Sequence, residues 1–401
     1  MATLAQAGER ESGRRRPLWA WAIILLLVAI YALIFGEMFL RVLKPQALIP
    51  RYVTGGPEGV RANMPNIAFR QWTPEVDVIL RYNAAGMRDD RPPPPLEKAP
   101  GECRIALLGD SYFVGFESRF DDSFAKQLET SLAKRGRPCR VLNFAVSGFG
   151  HAEMLATLDS RVQPWAPDLL LVSVHSTDGL DNLRANLFRP GPQGLEPTGE
   201  SFLPGVDISD RLNEFAAYRW AQENSHLYSA VREWAGRMGK QLLAQLRVRS
   251  ANSDVAAAPD PDDGAEDGES RTPRYVASQP LNQALIRQMA RESRAMGTQM
   301  MLFEIPIASG RKHYIPVARN LLGDALLSEV AFASPVAAFE AMKGPQVQLY
   351  LERGHRHWTA LGNRVAADVA ADALLQQGLV PQSQSMDASA GSPGSTRLAS
   401  S

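Results

Sequence analysis

Cysteine is nearly absent from this chain, with 2 residues in 401. That scarcity excludes a disulfide-built scaffold and a Cys-rich zinc module. Net charge is absent too, because 43 Lys+Arg balance 43 Asp+Glu. A nucleic-acid footprint needs a basic face, so no nucleic-acid partner is expected. There is no Walker loop and no dinucleotide glycine fingerprint. His151, His226 and His313 lack metal-ligand spacing and have no Cys or carboxylate cluster to complete a site. Neither a cofactor nor a metal is therefore expected. What remains is an ordinary globular composition, 45% hydrophobic and 21% charged. It excludes wholesale disorder and allows one large domain or two small ones.

Long apolar runs are confined to one place. From Leu18 to Phe35 every residue is apolar, and the run extends to Leu40 broken by Gly36 and Glu37. About 20 apolar residues in a helix span the hydrocarbon core of a bilayer. Arg14, Arg15 and Arg16 precede the run, and Trp19, Trp21 and Tyr31 suit its interfaces. A cleaved signal peptide would be shorter and would end in a small-residue cleavage site. No Ala-x-Ala comes soon after Phe35, so the expectation is an uncleaved anchor over 17–40. The stub 1–16 would then be cytoplasmic and everything after about residue 41 exported.

Residues 41–100 read as an extended spacer or lead-in, ending in Arg91 and four prolines. From Cys103 the pattern changes. Short apolar runs at Ile105–Leu108, Val141–Val146, Leu169–Val174, Met300–Ile305 and Val347–Leu351 read as buried parallel strands. Helical patterns separate them: Phe124, Leu128 and Leu132; Met154, Leu155, Leu158 and Val162; Leu281, Leu285, Met289 and Met296; and Leu361 to Leu375. Such alternation predicts an α/β domain over 101–378 with a central parallel sheet. An insertion interrupts it over 183–275. There Leu227, Val231, Trp234, Met238 and Leu242 form a helical stripe, expected to pack on the core. Residues 250–272 and 379–401 are polar, rich in Gly, Pro or Ser, and are expected to be disordered.

Chemistry-bearing residues fall at the ends of the predicted strands, where open α/β sheets bind ligands. The first strand ends in Gly109-Asp110-Ser111, which places a hydroxyl at a strand-to-helix turn. The second ends in Ser147-Gly148-Phe149-Gly150, where backbone N–H groups can approach an oxyanion. The third ends in His175-Ser176-Thr177-Asp178, and His357-Trp358 follows the last. A lone Ser at a turn is more often a helix cap, and a lone His more often a structural hydrogen-bond partner. Their order along the chain puts Ser111 and His357 on one rim.

These blocks resemble the SGNH (GDSL-type) hydrolase superfamily. The resemblance rests on Ile-Ala-Leu-Leu-Gly-Asp-Ser, Val-Leu-Asn-Phe-Ala-Val-Ser-Gly-Phe-Gly, Pro-Asp-Leu-Leu-Leu-Val and His-Trp-x-x-x-Gly, over roughly residues 80 to 378. Asn83-x-x-Gly86-Met87-Arg88 resembles a lead-in of membrane-anchored bacterial members. The resemblance implies a flavodoxin-like three-layer sandwich, a serine esterase or deacylase, Ser111 as nucleophile and His357 as base. It implies an oxyanion hole from Ser111, Gly148 and the position of Thr177, with Asp110 and Asp178 on the rim. Two departures stand out. Thr177 occupies the place of the family's Asn donor, and Gly354 that of the acid three residues before the His. Glu352 or a backbone carbonyl is left to orient the imidazole.

Cys103 and Cys139 each stand just before strands that are neighbours in such a sheet. Neighbouring strands lie about 4.8 Å apart, close to disulfide spacing, and an exported domain is in an oxidising place. A Cys103–Cys139 bridge is therefore expected, against two buried thiols. Two functions remain open. One is an esterase on the periplasmic or extracellular side of the inner membrane, acting on an ester such as the O-acetyl groups of an envelope polysaccharide or exopolysaccharide, or transferring the acyl group. The other is a catalytically degraded scaffold that binds a glycan or an envelope protein.

Overall fold

The structure, a computed structural model, describes residues 17–192, 194–248, 272–310, 313–342, 344, 346–353 and 355–380. The stub 1–16 lies outside them. So do the stretches expected to be disordered, apart from Thr272, Leu379 and Val380 at their edges. The apolar run forms helix α1 (Leu18–Leu43), 26 residues with none buried. It is long and apolar enough to cross a membrane.

The segment expected to be a spacer is folded. Strand β1 (Val53–Gly55) pairs antiparallel with β2 (Arg61–Asn63), and β3 (Ile67–Trp72) with β4 (Asp77–Tyr82). The reason is a period-two pattern that the short apolar runs conceal. Val78, Leu80 and Tyr82 point inward while Asp77, Ile79 and Arg81 point out. The inward face joins the core of the main domain, together with Ala47, Ile49 and Phe69.

Five parallel strands build the central sheet: β5 (Arg104–Leu108), β6 (Arg140–Asn143), β7 (Leu169–Val174), β8 (Gln299–Glu304) and β9 (Ala331–Ala333). Their spatial order is β6-β5-β7-β8-β9, which in chain order is 2-1-3-4-5, the flavodoxin-like winding. Alternate residues feed two cores. Ile105, Leu107, Leu169, Leu171, Met301 and Phe303 pack against α3 (Phe124–Lys134) and α11 (Ala360–Gln376). Ala106, Leu108, Leu170, Val172 and Leu302 pack against α4 (His151–Ala156), α9 (Thr272–Ala295) and α10 (Ala318–Glu329). The result is a three-layer α/β sandwich.

Two expectations about packing differ from the structure. The run 347–351 is not the fifth strand; the three-residue β9 takes that place. Gln348 interrupts the run, and it pairs with the loop that follows. Leu351 N donates to His357 O at 2.9 Å and Thr359 N to Leu349 O at 2.9 Å. The insertion begins at the end of α5 (Asp178–Ala185) and carries α6 (Val206–Asn213), α7 (Ala216–Asn224) and α8 (His226–Val248). Its stripe does not pack on the core: Val231, Trp234, Met238 and Leu242 are 54%, 60%, 50% and 58% exposed. Helix α8 meets the domain through its first turns, with His226 and Ser229 buried. Residues 234–239 and Leu242 of it are exposed.

The structure joins Cys103 to Cys139 in a disulfide with Cα atoms 4.5 Å apart. Parallel pairing of Arg104 with Arg140 sets that spacing, because each cysteine immediately precedes a paired residue.

Candidate active site

The winding reverses direction between β5 and β7, and the crevice outside their carboxyl ends is where such sheets bind ligands. Ser111 stands there, the first residue of the short helix α2 (Ser111–Val114). The turn before it is tight. A Cβ on Gly109 would lie 2.6 Å from Ser173 Oγ and 2.9 Å from Phe113 Cδ2, so no larger residue fits. Asp110 caps the helix, its Oδ1 accepting from Tyr112 N at 3.0 Å. First-turn N–H groups have no intrahelical acceptor, so the N–H of Ser111 is a donor at this rim.

Three side chains form a continuous chain of hydrogen bonds. Ser111 Oγ lies 2.8 Å from His357 Nε2. His357 Nδ1 lies 2.8 Å from Glu117 Oε2. Glu117 was not anticipated. It lies six residues past the serine, is 4% exposed and has φ of +58°. Its own N–H donates to Gln71 Oε1 of β3 at 2.8 Å, so the lead-in hairpin fixes its backbone. Its carboxylate also accepts from His355 N at 3.2 Å and His357 N at 3.4 Å. Burial alone would raise the Glu117 carboxyl, but bonds from His355 and His357 outweigh it and hold the group well below the ordinary carboxylate range. It is therefore an anion at neutral pH.

Glu352, the acid expected to support His357, does not do so. It lies in the exposed part of the same loop, where its N–H donates to Glu75 Oε1 at 3.3 Å. The loop bends so that Glu117, from the other side of the crevice, fills the position behind the imidazole. The sequence signal for Glu117 is slight: a single carboxylate directly after the stretch Phe113–Phe116.

The remaining expected residues are placed differently from one another. Gly148 has φ of +73°, and its carbonyl accepts from Arg61 Nη2 of β2 at 2.7 Å. Thr177 turns its Oγ1 to His175 Nδ1 at 3.3 Å, which engages it with the neighbouring loop residue. His175, also unforeseen, holds Asp110 Oδ2 at 2.9 Å through the same nitrogen. Burial pushes the Asp110 carboxyl up, but the charge and hydrogen bond of His175 hold it below its ordinary value. Asp178 is not on the rim; it is fully buried. Its Oδ2 accepts from His175 N at 2.7 Å and lies 3.2 Å from His151 Nε2. Burial, with Asp110 nearby, raises the Asp178 carboxyl well above its ordinary value, and burial lowers His151 to about 4. With His151 held neutral by burial, that contact is no ion pair.

A hydroxyl on an imidazole, itself backed by a buried carboxylate, can lose its proton to the ring while attacking an electrophile. Among the described residues no group of three or more His, Cys, Asp or Glu is placed to hold a metal ion.

No protein-family model matches the chain. An arylesterase of Vibrio mimicus is 30% identical over 77 residues, 19% of this chain and 38% of that protein. The match thus spans well under half the length of that curated relative. Similar solved structures include TesA, at 14% identity and a TM-score of 0.34, covering 69% of this chain and 99% of that one. Another is Axe2, an acetylxylan esterase from Geobacillus stearothermophilus, at 13% identity and a TM-score of 0.34, covering 68% and 93%. A lipase/acylhydrolase from Enterococcus faecalis is 14% identical, with a TM-score of 0.35, covering 71% and 100%.

Proposed function

We propose that this protein is a membrane-anchored serine esterase of the SGNH type. One observation carries the reading: the chain from Ser111 Oγ through His357 to Glu117, with both side-chain links at 2.8 Å. Glu117 accepts the Nδ1 proton of His357 and so keeps Nε2 free to receive a proton. Ser111 Oγ attacks the ester carbonyl carbon as its proton passes to Nε2. The carbonyl oxygen becomes an oxyanion, held by the N–H groups of Ser111 and Gly148. Collapse breaks the bond to the alcohol, which leaves with the proton from Nε2. Water then attacks the acyl-enzyme with His357 as base, and the acid departs.

A buried carboxylate behind the imidazole answers one of the two grounds for a degraded scaffold, the missing acid; the other, Thr177 in the place of the family's Asn donor, stands. The name of the partial relative, arylesterase, agrees with ester chemistry. Helix α1 serves as the anchor, with the N-terminus cytoplasmic. The domain faces the exported side, where a Cys103–Cys139 disulfide is stable. There it meets esters of the cell envelope, and O-acetylated polysaccharide is the substrate class we assign. The test is labelling with a fluorophosphonate probe beside hydrolysis of p-nitrophenyl acetate. Wild type should label and turn over, and Ser111→Ala should do neither. An unlabelled, inactive wild type that is folded would return the scaffold reading.

A further inference from the structure

Glu37 and Arg41 are the two charged residues of α1, both near its end, and a carboxylate there is costly unless it is paired. Its partners are Arg41, one turn on, whose Nε donates to Oε1 at 2.8 Å, and the start of α8. Ser225 Oγ donates to Glu37 Oε2 at 2.8 Å, His226 N to Oε1 at 3.1 Å and Leu227 N to Oε2 at 2.9 Å. The carboxylate thus collects the first-turn N–H groups of α8, where a helix carries partial positive charge. Arg41 reaches Asn224 O beside it, and a Cβ on Gly36 would lie 3.7 Å from Leu227. Gly36 precedes the end of α1 at Leu43 by about 10 Å, at 1.5 Å per residue. If α1 crosses the bilayer, α8 begins at the level of the lipid headgroups or just beneath it.

From that start α8 leaves an apolar stripe uncovered. At roughly 100° per residue, Leu227, Val231, Trp234, Met238 and Leu242 fall within an arc of about 80°. Leu227 meets α1, so the same side of the helix that touches the anchor continues outward as the exposed Val231, Trp234, Met238 and Leu242. The helix carries Arg232, Arg237, Lys240 and Arg247 against the single acid Glu233. A basic amphipathic helix with Trp and Leu on its apolar side suits an anionic lipid surface. The preceding helices leave Ile208, Phe215 and Trp220 exposed as well.

We infer that α8 is a membrane-surface helix, its Val231–Leu242 stripe lying in the outer interface of the same bilayer that α1 crosses. The inference rests on α1 as the anchor. It gives the domain a second point of attachment, so the crevice at Ser111 is held at a set attitude to the membrane. A domain on a single anchor would tumble freely.

The experiment uses the full chain, reconstituted in vesicles of phosphatidylethanolamine and phosphatidylglycerol. Nitroxide labels are placed singly at Met238→Cys, Gly236→Cys and Leu27→Cys, the native cysteines being locked in their disulfide. Gly236 lies on the opposite side of α8 with open space around it. Collisions with oxygen, which concentrates in lipid, are compared with those of a water-soluble nickel chelate. At 27 and 238 oxygen should dominate, and at 236 the chelate should. Chelate dominance at 238 with oxygen dominance at 27 overturns this inference and leaves the anchor standing. A 238 label shielded from both reagents overturns it in favour of a protein partner or a second copy. Chelate dominance at 27 removes the anchor, and the inference with it.

Discussion

Replacing Glu117 by Gln is the sharpest trial of the site. Both carboxylate oxygens already accept backbone N–H groups, Oε1 from His355 and Oε2 from His357. Gln offers one acceptor oxygen, so either orientation sets its NH2 against a backbone donor. With NH2 at the Oε2 position, it also donates to His357 Nδ1. That moves the ring proton to Nε2, which can no longer receive the proton of Ser111. With NH2 at the Oε1 position, the ring keeps its working tautomer but loses the charge that steadies the imidazolium. Loss of the acid's charge and tautomer control in a Ser-His-Asp triad lowers kcat by about 10⁴, or about 5 kcal/mol of transition-state stabilisation. The expected loss here is about 10³ to 10⁴ in kcat for p-nitrophenyl acetate, with KM little changed. Fluorophosphonate labelling should slow in parallel, and Glu352→Gln should behave as wild type. A folded Glu117→Gln enzyme within about tenfold of wild type, beside an inactive Ser111→Ala, would refute the role given to Glu117.

Other outcomes follow from buried groups. Burial raises the Glu153 carboxyl from its ordinary 4.5 to about 7, against the pull of Arg61. Its folded value lies above its unfolded one, so its contribution to stability is complete below 4.5 and is lost as pH rises through 7. Urea unfolding should show about 3 kcal/mol less stability at alkaline pH from this group, and Glu153→Gln should flatten that slope. An unchanged slope in the variant would sink the assignment. The Cys103–Cys139 bridge closes a separation of 36 residues, worth about 4 kcal/mol in the chain-entropy model. Thiol reagents should find nothing to alkylate in denatured, unreduced protein, and the double Ala variant should unfold at lower urea. A Cβ on Gly362 would lie 2.2 Å from the Leu349 carbonyl oxygen, a backbone atom that cannot swing away. Gly362→Ala should cost about 3 kcal/mol or more and disturb the loop that presents His357, read as a fall in both melting temperature and labelling rate.

The first four sheet strands were legible because strands buried on both faces read as short apolar runs. Leu169–Val174 matches its expected bounds, and β5, β6 and β8 overlap theirs. The fifth was not, because Ala331-Phe332-Ala333 is too short to stand out, while the stronger run at 347–351 serves a loop instead. Ser111 and His357 were legible from their places after strands. Glu117 was not, since its position depends on Gln71 from a segment whose alternation was read as a spacer. The α8 stripe was legible as a stripe, but periodicity alone does not say whether protein or lipid covers it.

Ser111 and Glu117 lie on one short stretch of chain, whereas His357 arrives from 246 and 240 residues away. The proposed nucleophile and its carboxylate are therefore registered to each other by six residues of backbone, with Gln71 of β3 bracing the second. Of the three side chains, His357 alone comes from far along the chain. The loop ahead of α11 is released from supplying an acid, which fits the Gly at position 354. What it brings instead is one imidazole and two backbone N–H groups, those of His355 and His357, that grip the carboxylate of Glu117.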